Sequence, residues 1–231
     1  MAILYIIGTP IGNLGDISAR AAETLGAVDL VACEDTRRTI KLLNHLGIRV
    51  KMLSCRSQNE KFAGKKVIDA LNEGKTVAYA SDAGTPALSD PGAVLVQMAV
   101  DAGHDVIPIP GPSAFASLLS VAGGTDKTVI FEGFLSPRAG RRKSRLRELM
   151  AQDAALVLYE SPFRIVKLLA DLAEIDDKRY ICIGREMTKV HEEYIRGSVA
   201  EIYAVFCQKT EQIGEFSVYI AGNNSNFRVN Y

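Results

Sequence analysis

No charge of one sign dominates this chain: Lys plus Arg number 27, and Asp plus Glu number 27. That excludes a whole-molecule field able to draw nucleic acid or an anionic membrane, so any charge argument has to be local. No Cys-x-x-Cys pair occurs; Cys33, Cys55, Cys182 and Cys207 are scattered, as reduced thiols packed like small apolar residues in a cytoplasmic protein would be. His45, His104 and His191 are isolated, and "HEEY" lacks the second His at i+4 that a zinc helix requires, so no metal centre is expected. Long hydrophobic runs are missing too. The apolar stretch in "MAILYIIGTP" has no basic leader and is far too short to span a bilayer, which predicts a cytoplasmic protein without a membrane partner. Neither a repeat of fixed period nor a low-complexity linker is found.

What is present is enough apolar material, 48% of the residues, to bury a sizeable core and exclude disorder. "AILYIIG", "VDLVACE", "RVKML", "KTVAYA" and "HDVIPIP" read as strands, with amphipathic stretches of helical spacing between them. This alternation predicts an α/β fold, a mostly parallel sheet with helices on both faces. Beyond "GPSAFASLLSVAGG" the chain reads as more strand-rich, with "KTVIFEGFL", "AALVLYE", "RYICIGRE", "EEYIRGSV" and "EFSVYIAG" and fewer helices. A mixed sheet is expected there, with the boundary near Ser120: a first domain over 1–119 and a second over 120–231.

Three strands run into loops of unusual content: "ILYIIG" into "TPIGNLGD", "TVAYA" into "SDAGTPALSDPG", and "HDVIPI" into "PGPSA". In a parallel sheet such loops fall at the carboxyl edge, where open α/β folds bind ligands. Glycine lets a ligand approach the backbone and proline stiffens the loop. Gly8, Gly12 and Gly15 match neither dinucleotide nor P-loop spacing, and residues 8–15, 81–92 and 108–114 hold no Lys or Arg. A triphosphate would meet Asp82 and Asp90 without a counter-charge. A neutral or cationic nucleoside fits, S-adenosylmethionine among them; plain tight turns are the alternative.

"LYIIGTPIGNLGDISARA", "VACEDTRRT", "YASDAGTPALSDPG", "PIPGPSA", "YESPFR" and "REMTKVHEE" occur in this order across nearly the whole chain. Together they resemble the tetrapyrrole-methylase-like, class III S-adenosylmethionine-dependent methyltransferases, in the branch that modifies small-subunit ribosomal RNA. The resemblance implies a homodimer, two α/β domains with S-adenosylmethionine in the cleft between them, and 2′-O-methylation of a cytidine in the decoding region of 16S rRNA. Carried over by motif, Ile11, Gly84, Thr85 and Leu88 line the cofactor, as do Pro110, Gly111, Ser113 and Ala114. Tyr159 is expected near adenine. Two departures stand out: "CRSQNE" lacks the histidines relatives carry before Asn-Glu, and little chain follows "EFSVYIAG" where relatives extend by a helical tail. Any grip on the ribosome through such a tail is expected to fall to other surfaces.

Methyl transfer from a sulfonium needs alignment rather than a metal. A ribose 2′-hydroxyl is a poor nucleophile, so a base or a stabilising cation beside it helps. "CEDTRRT" follows a strand and offers Glu34 and Asp35, with Arg37 and Arg38 to hold a phosphate; ordinary helix capping by Asp35 and Thr36 is the competing reading. Asp82 and Glu60 are further candidate acids. On the RNA side, Arg138, Arg141, Arg142, Lys143, Arg145 and Arg147 stand in ten residues without an acid, a contact arm or a solvated helix face. Arg164, Arg185 and Lys189 are added by the resembling motifs. The rivals are a class III enzyme acting on a tetrapyrrole or a diphthine-type protein target, and a non-catalytic S-adenosylmethionine-sensing RNA-binding module.

Overall fold

The computed structural model describes residues 2–223, in two compact units, Met1–Ser113 and Ala114–Tyr231. The first runs β1 (Ile3–Ile7), α1 (Ala19–Ala27), β2 (Leu30–Cys33), α2 (Thr36–His45), β3 (Lys51–Ser54), α3 (Glu60–Asn72), β4 (Val77–Ala80), α4 (Ala93–Asp101) and β5 (Asp105–Ile109). The five strands are parallel in the order β3-β2-β4-β1-β5. Alternation along the strands feeds two cores. Ile7, Val31, Cys33 and Ala78 pack against Leu25 of α1 and Leu42 and Leu43 of α2. Leu4, Ala32, Val77 and Tyr79 pack against Ala63, Val67 and Leu71 of α3 and Leu95 of α4. Burial on both faces explains why "VAYA" is apolar at every position. Ser18 and Asp35 cap α1 and α2 by accepting from the N–H groups of Ala21 and Arg37.

The second unit holds α5 (Ala114–Ala122), β6 (Val129–Phe134), α6 (Ala139–Met150), β7 (Ala155–Glu160), α7 (Ile165–Asp176), β8 (Tyr180–Arg185), β9 (Glu193–Ser198), α8 (Val199–Gln208) and β10 (Phe216–Ile220). Its sheet, β6-β7-β10-β8-β9, is mixed: β6 and β7 are parallel and the remaining pairs antiparallel. One face packs against α6, α7 and α8 through Leu146, Leu168, Leu172, Ile202 and Phe206; the other packs against Leu118 and Ala122 of α5. The expected shortage of helices is corrected, since the described residues of each unit hold four α-helices. The signal was present: Ile165, Leu168, Leu169 and Leu172 recur at helical spacing, and Ser198 with Glu201 forms a capping box. Because α5 is apolar toward Tyr219 and Cys182, it belongs wholly to this unit, and the division falls after Ser113 rather than within the helix.

Candidate active site

Strand order sets the site. β4, β1 and β5 are neighbours, so the loops that follow them, residues 81–92, 8–18 and 110–113, meet on one edge. Thr9 and Gly84 bridge the first two, each N–H donating to the other's carbonyl at 2.9 and 3.0 Å. Gly84 lies at φ +79°, with Ile11 Cγ2 3.4 Å from where a Cβ would stand. The β1 and β5 loops touch at Gly8 and Gly111, where a Cβ on Gly111 would sit 2.4 Å from the Gly8 carbonyl oxygen. Only glycines permit that approach. Thr85 Oγ1 donates to the Pro112 carbonyl at 3.4 Å and ties the β4 loop to the β5 loop. Leu88 N–H closes a turn on the Thr85 carbonyl, and Ala87 and Ser89 on either side hold left-handed φ of 65° and 64°. Strained backbone of this kind persists where surrounding structure over-determines it, as at binding loops.

Ser113 Oγ is buried and finds no hydrogen-bond partner among the described residues, a polar atom left over for a bound group. With that orphan, and with no Lys or Arg among residues 8–15, 81–92 and 108–114, the cradle fits a cationic adenosyl group and not a triphosphate. Ile11, Gly84, Thr85, Leu88, Pro110, Gly111 and Ser113 all lie in these three loops; Ala114 opens α5.

Across β4 toward β2 and β3 the edge becomes charged. Asp82 Oδ1 accepts from the Asp35 N–H at 2.9 Å, and Asp82 Oδ2 lies 3.5 Å from Arg38 Nε. Asp35 accepts from the Arg37 backbone (2.9 Å) and guanidinium (3.1 and 3.3 Å) and lies 3.8 Å from Arg56. These contacts, the Arg37 side chain first, hold its carboxyl below the usual carboxylate range. Arg56 also donates to the Glu34 carbonyl at 3.1 Å. Burial first, and then the Asp82 charge, pushes the Glu34 carboxyl up. Asp90, at the far end of the β4 loop, is pushed up to about 6 by desolvation of its carboxyl and next by Glu34 and Asp82. Asp35 is thus engaged as a helix cap, while the Glu34 and Asp90 carboxyls both feel the Asp82 charge. Asp90 and Arg56 were not candidates on sequence alone; Asp90 stood only as one of two acids in its loop. Glu60 has a different task, accepting at its Oε1 from Gly92 N (2.9 Å) and Leu95 N (3.1 Å) at the start of α4.

In the second unit most of the expected RNA cations are spoken for. Arg142 is 4% exposed with its Nε 2.5 Å from Asp171, Lys143 pairs with Glu174, and Arg145 joins Glu132 and Glu148. Arg164 joins Glu160 at 2.7 Å and the Leu135 carbonyl at 3.2 Å, and Arg185 joins Glu193 at 2.9 Å. Arg138 and Arg141 are exposed and form no ion pair among the described residues. Tyr159 stands edge-on to Phe131 and Phe134, and its hydroxyl accepts from the Phe115 N–H at 2.9 Å, which holds the start of α5. No group of three or more His, Cys, Asp or Glu among the described residues is arranged to hold a metal ion.

The first unit is an open parallel sheet with a glycine–proline cradle, free of cations, at its carboxyl edge. Residues 3–203 match the model of the tetrapyrrole (corrin/porphyrin) methylases, and the chain belongs to that family. More particularly, it is 44% identical over 224 residues to the ribosomal RNA small subunit methyltransferase I of Borrelia garinii subsp. bavariensis, covering 96% of this chain and 100% of that protein. It is 45% identical to the protein of the same name from Thermotoga maritima, over 96% of this chain and 99% of the other. Among solved structures, a cobalt precorrin-4 methyltransferase, CbiF, superposes with a TM-score of 0.68 at 19% identity, covering 95% of this chain and 94% of its own. The methyltransferase CobJ does so with 0.71 at 15%, over 96% and 95%. At these identities the structural likeness is one of fold.

Proposed function

We propose that the protein methylates the ribose 2′-hydroxyl of a cytidine in the decoding region of small-subunit rRNA, using S-adenosylmethionine, as a cytoplasmic homodimer. The observation that supports rRNA as the substrate class is similarity, over 96% of this chain, to proteins named ribosomal RNA small subunit methyltransferase I. The three-loop cradle supports the donor. Bound there, S-adenosylmethionine supplies an electrophilic methyl group on a sulfonium. Gly84, Thr85 and Leu88, with Ile11 and Ser113, would orient it, and the Gly8–Gly111 contact keeps those loops at a fixed spacing. Ala114 and Tyr159 are cofactor candidates through the family resemblance.

As the ribose oxygen takes the methyl group, its proton has to leave. Glu34, Asp82 and Asp90 lie beside the cradle, and the raised carboxyls of Glu34 and Asp90 suit a proton acceptor working near neutrality. Arg38, 3.5 Å from Asp82, would hold the neighbouring phosphate. Arg37 extends the same contact from α2, while Arg138 and Arg141 would contact RNA from the second unit. No helix among the described residues is long and apolar enough to cross a membrane. The test is incubation with methyl-labelled S-adenosylmethionine and 30S subunits from a strain lacking the activity, followed by nucleoside analysis. Label in 2′-O-methylcytidine at one decoding-region position is expected. Tight donor binding with no label in RNA would instead sink the rRNA reading. Sedimentation at twice the 25.0 kDa chain mass checks the dimer.

A further inference from the structure

The internal pairing of the α6 cations raises the question of where the protein grips RNA. Although the chain is neutral as a whole, residues 36–68 contain nine Lys and Arg against a single acid, Glu60. Glu60 is buried and engaged at the start of α4, so it does not screen the surface. The segment is α2, β3 and the first half of α3, and β3 is an edge strand of the parallel sheet. Lys41, Lys51, Lys61, Lys65 and Lys66 on these elements are all exposed and enter no ion pair among the described residues. On α3, residues 61, 62, 65 and 66 form one helical face. Phe62 stands on that face, 65% exposed, with Lys66 Nζ 4.9 Å from its ring centroid.

The α3 face is not loose. Glu60 fastens its first turn to α4, and Gly64 lets α3 approach so closely that a Cβ there would meet Met98 Sδ at 2.8 Å. It is also continuous with the candidate active site, because Arg56, just before α3, donates to the Glu34 carbonyl and faces Asp35. A rigid row of ammonium groups, with a single acid, Asp69, one turn further on and one exposed aromatic ring, matches the chemistry of single-stranded RNA, whose phosphates meet the cations and whose unstacked bases meet the ring.

We propose that the exposed face of α3 in the first unit is an RNA-binding surface, with Lys61, Lys65 and Lys66 on phosphates and Phe62 as a stacking platform for a base near the acceptor nucleotide. This rests on the rRNA reading above and names the surface that would deliver the substrate.

The test is direct RNA binding without methyl donor, using a labelled single-stranded oligoribonucleotide of about 16 nucleotides. The triple variant Lys61→Ala, Lys65→Ala, Lys66→Ala is expected to bind at least about tenfold more weakly at about 0.15 M salt. Its slope of log K against log salt should be shallower by about 2, since each phosphate contact on a single strand contributes about 0.7. Its melting temperature and its affinity for S-adenosylmethionine should match the parent's. Because the chain has no Trp, Phe62→Trp introduces a single reporter, whose fluorescence should be quenched as RNA saturates. Parental affinity and slope in the triple variant would overturn the proposal, as would indole fluorescence that stays unquenched in Phe62→Trp while RNA is bound. So would loss of binding to 30S subunits with naked RNA unaffected, which would make the partner an acidic ribosomal protein. RNA binding through α3 with no 2′-O-methylcytidine formed would uphold this surface and reject the proposed reaction.

Discussion

Glu60 is a buried carboxylate that takes two backbone N–H groups from the first turn of α4, where the helix dipole favours a negative charge. Glu60→Gln keeps the shape and removes the charge. It is expected to lose about 1–2 kcal/mol in urea unfolding. Since α4 follows the β4 loop directly, the variant should also raise KM for the donor more than it lowers kcat. Asp90 carries a pH signature. Its folded pKa of about 6 lies above the ordinary carboxylate value, so the folded chain holds a proton that the unfolded chain has already released. Its contribution to stability is therefore complete below about pH 4 and is lost as pH rises toward 6. Asp90→Asn should flatten stability across that window in denaturation curves, and a dependence unchanged by the substitution would contradict the assignment. If the same carboxyl accepts the ribose proton, parental activity should rise through an acid limb near pH 6.

At the scale of elements, the cradle depends on two loops brought within van der Waals limits. Gly111→Ala would drive a methyl group into the Gly8 carbonyl, and overpacking of that kind costs about 1–3 kcal/mol. The expected result is a donor affinity lower by about tenfold or more by calorimetry, with far-UV circular dichroism unchanged. In α6 the buried Arg142–Asp171 pair works against unfolding. Arg142→Ala leaves the buried Asp171 carboxylate with Lys143, 3.6 Å away, as its remaining cation and should cost about 3 kcal/mol in chemical denaturation. The folded fraction should bind RNA like the parent, since that guanidinium has no access to solvent. The sheets and most helices were legible because apolar runs and caps are local signals. That the six cations of residues 138–147 separate into paired and open ones was not, because Asp171 and Glu174 lie a helix away in sequence.

For the whole molecule the decisive property is how charge is distributed. A neutral total conceals a strongly basic segment over residues 36–68, and the acids that balance it lie elsewhere in the chain. Single-stranded RNA binding by the parent protein should therefore fall with added salt at a slope of about −3 or steeper, as roughly four or five phosphate contacts would give. A slope near zero would mean that net charge, not the local surface, governs association.

Local chemistry in the chain determined the α/β class, the three glycine–proline loops at strand ends, the absence of cations from those loops, and the motifs that place the chain among the methylases. These are short-range patterns, set by backbone freedom and apolar periodicity within one element. Only the tertiary structure decided that β4, β1 and β5 stand side by side, so that Gly8 meets Gly111 and Thr9 meets Gly84 across about 75 to 100 residues. It likewise decided which cations remain open, withdrawing Arg142 into a buried pair while leaving Lys61, Lys65 and Lys66 in water. The physical reason is the same in both cases. Strand order and ion pairing are settled by contacts between segments far apart in the chain, and no property of either segment alone carries them.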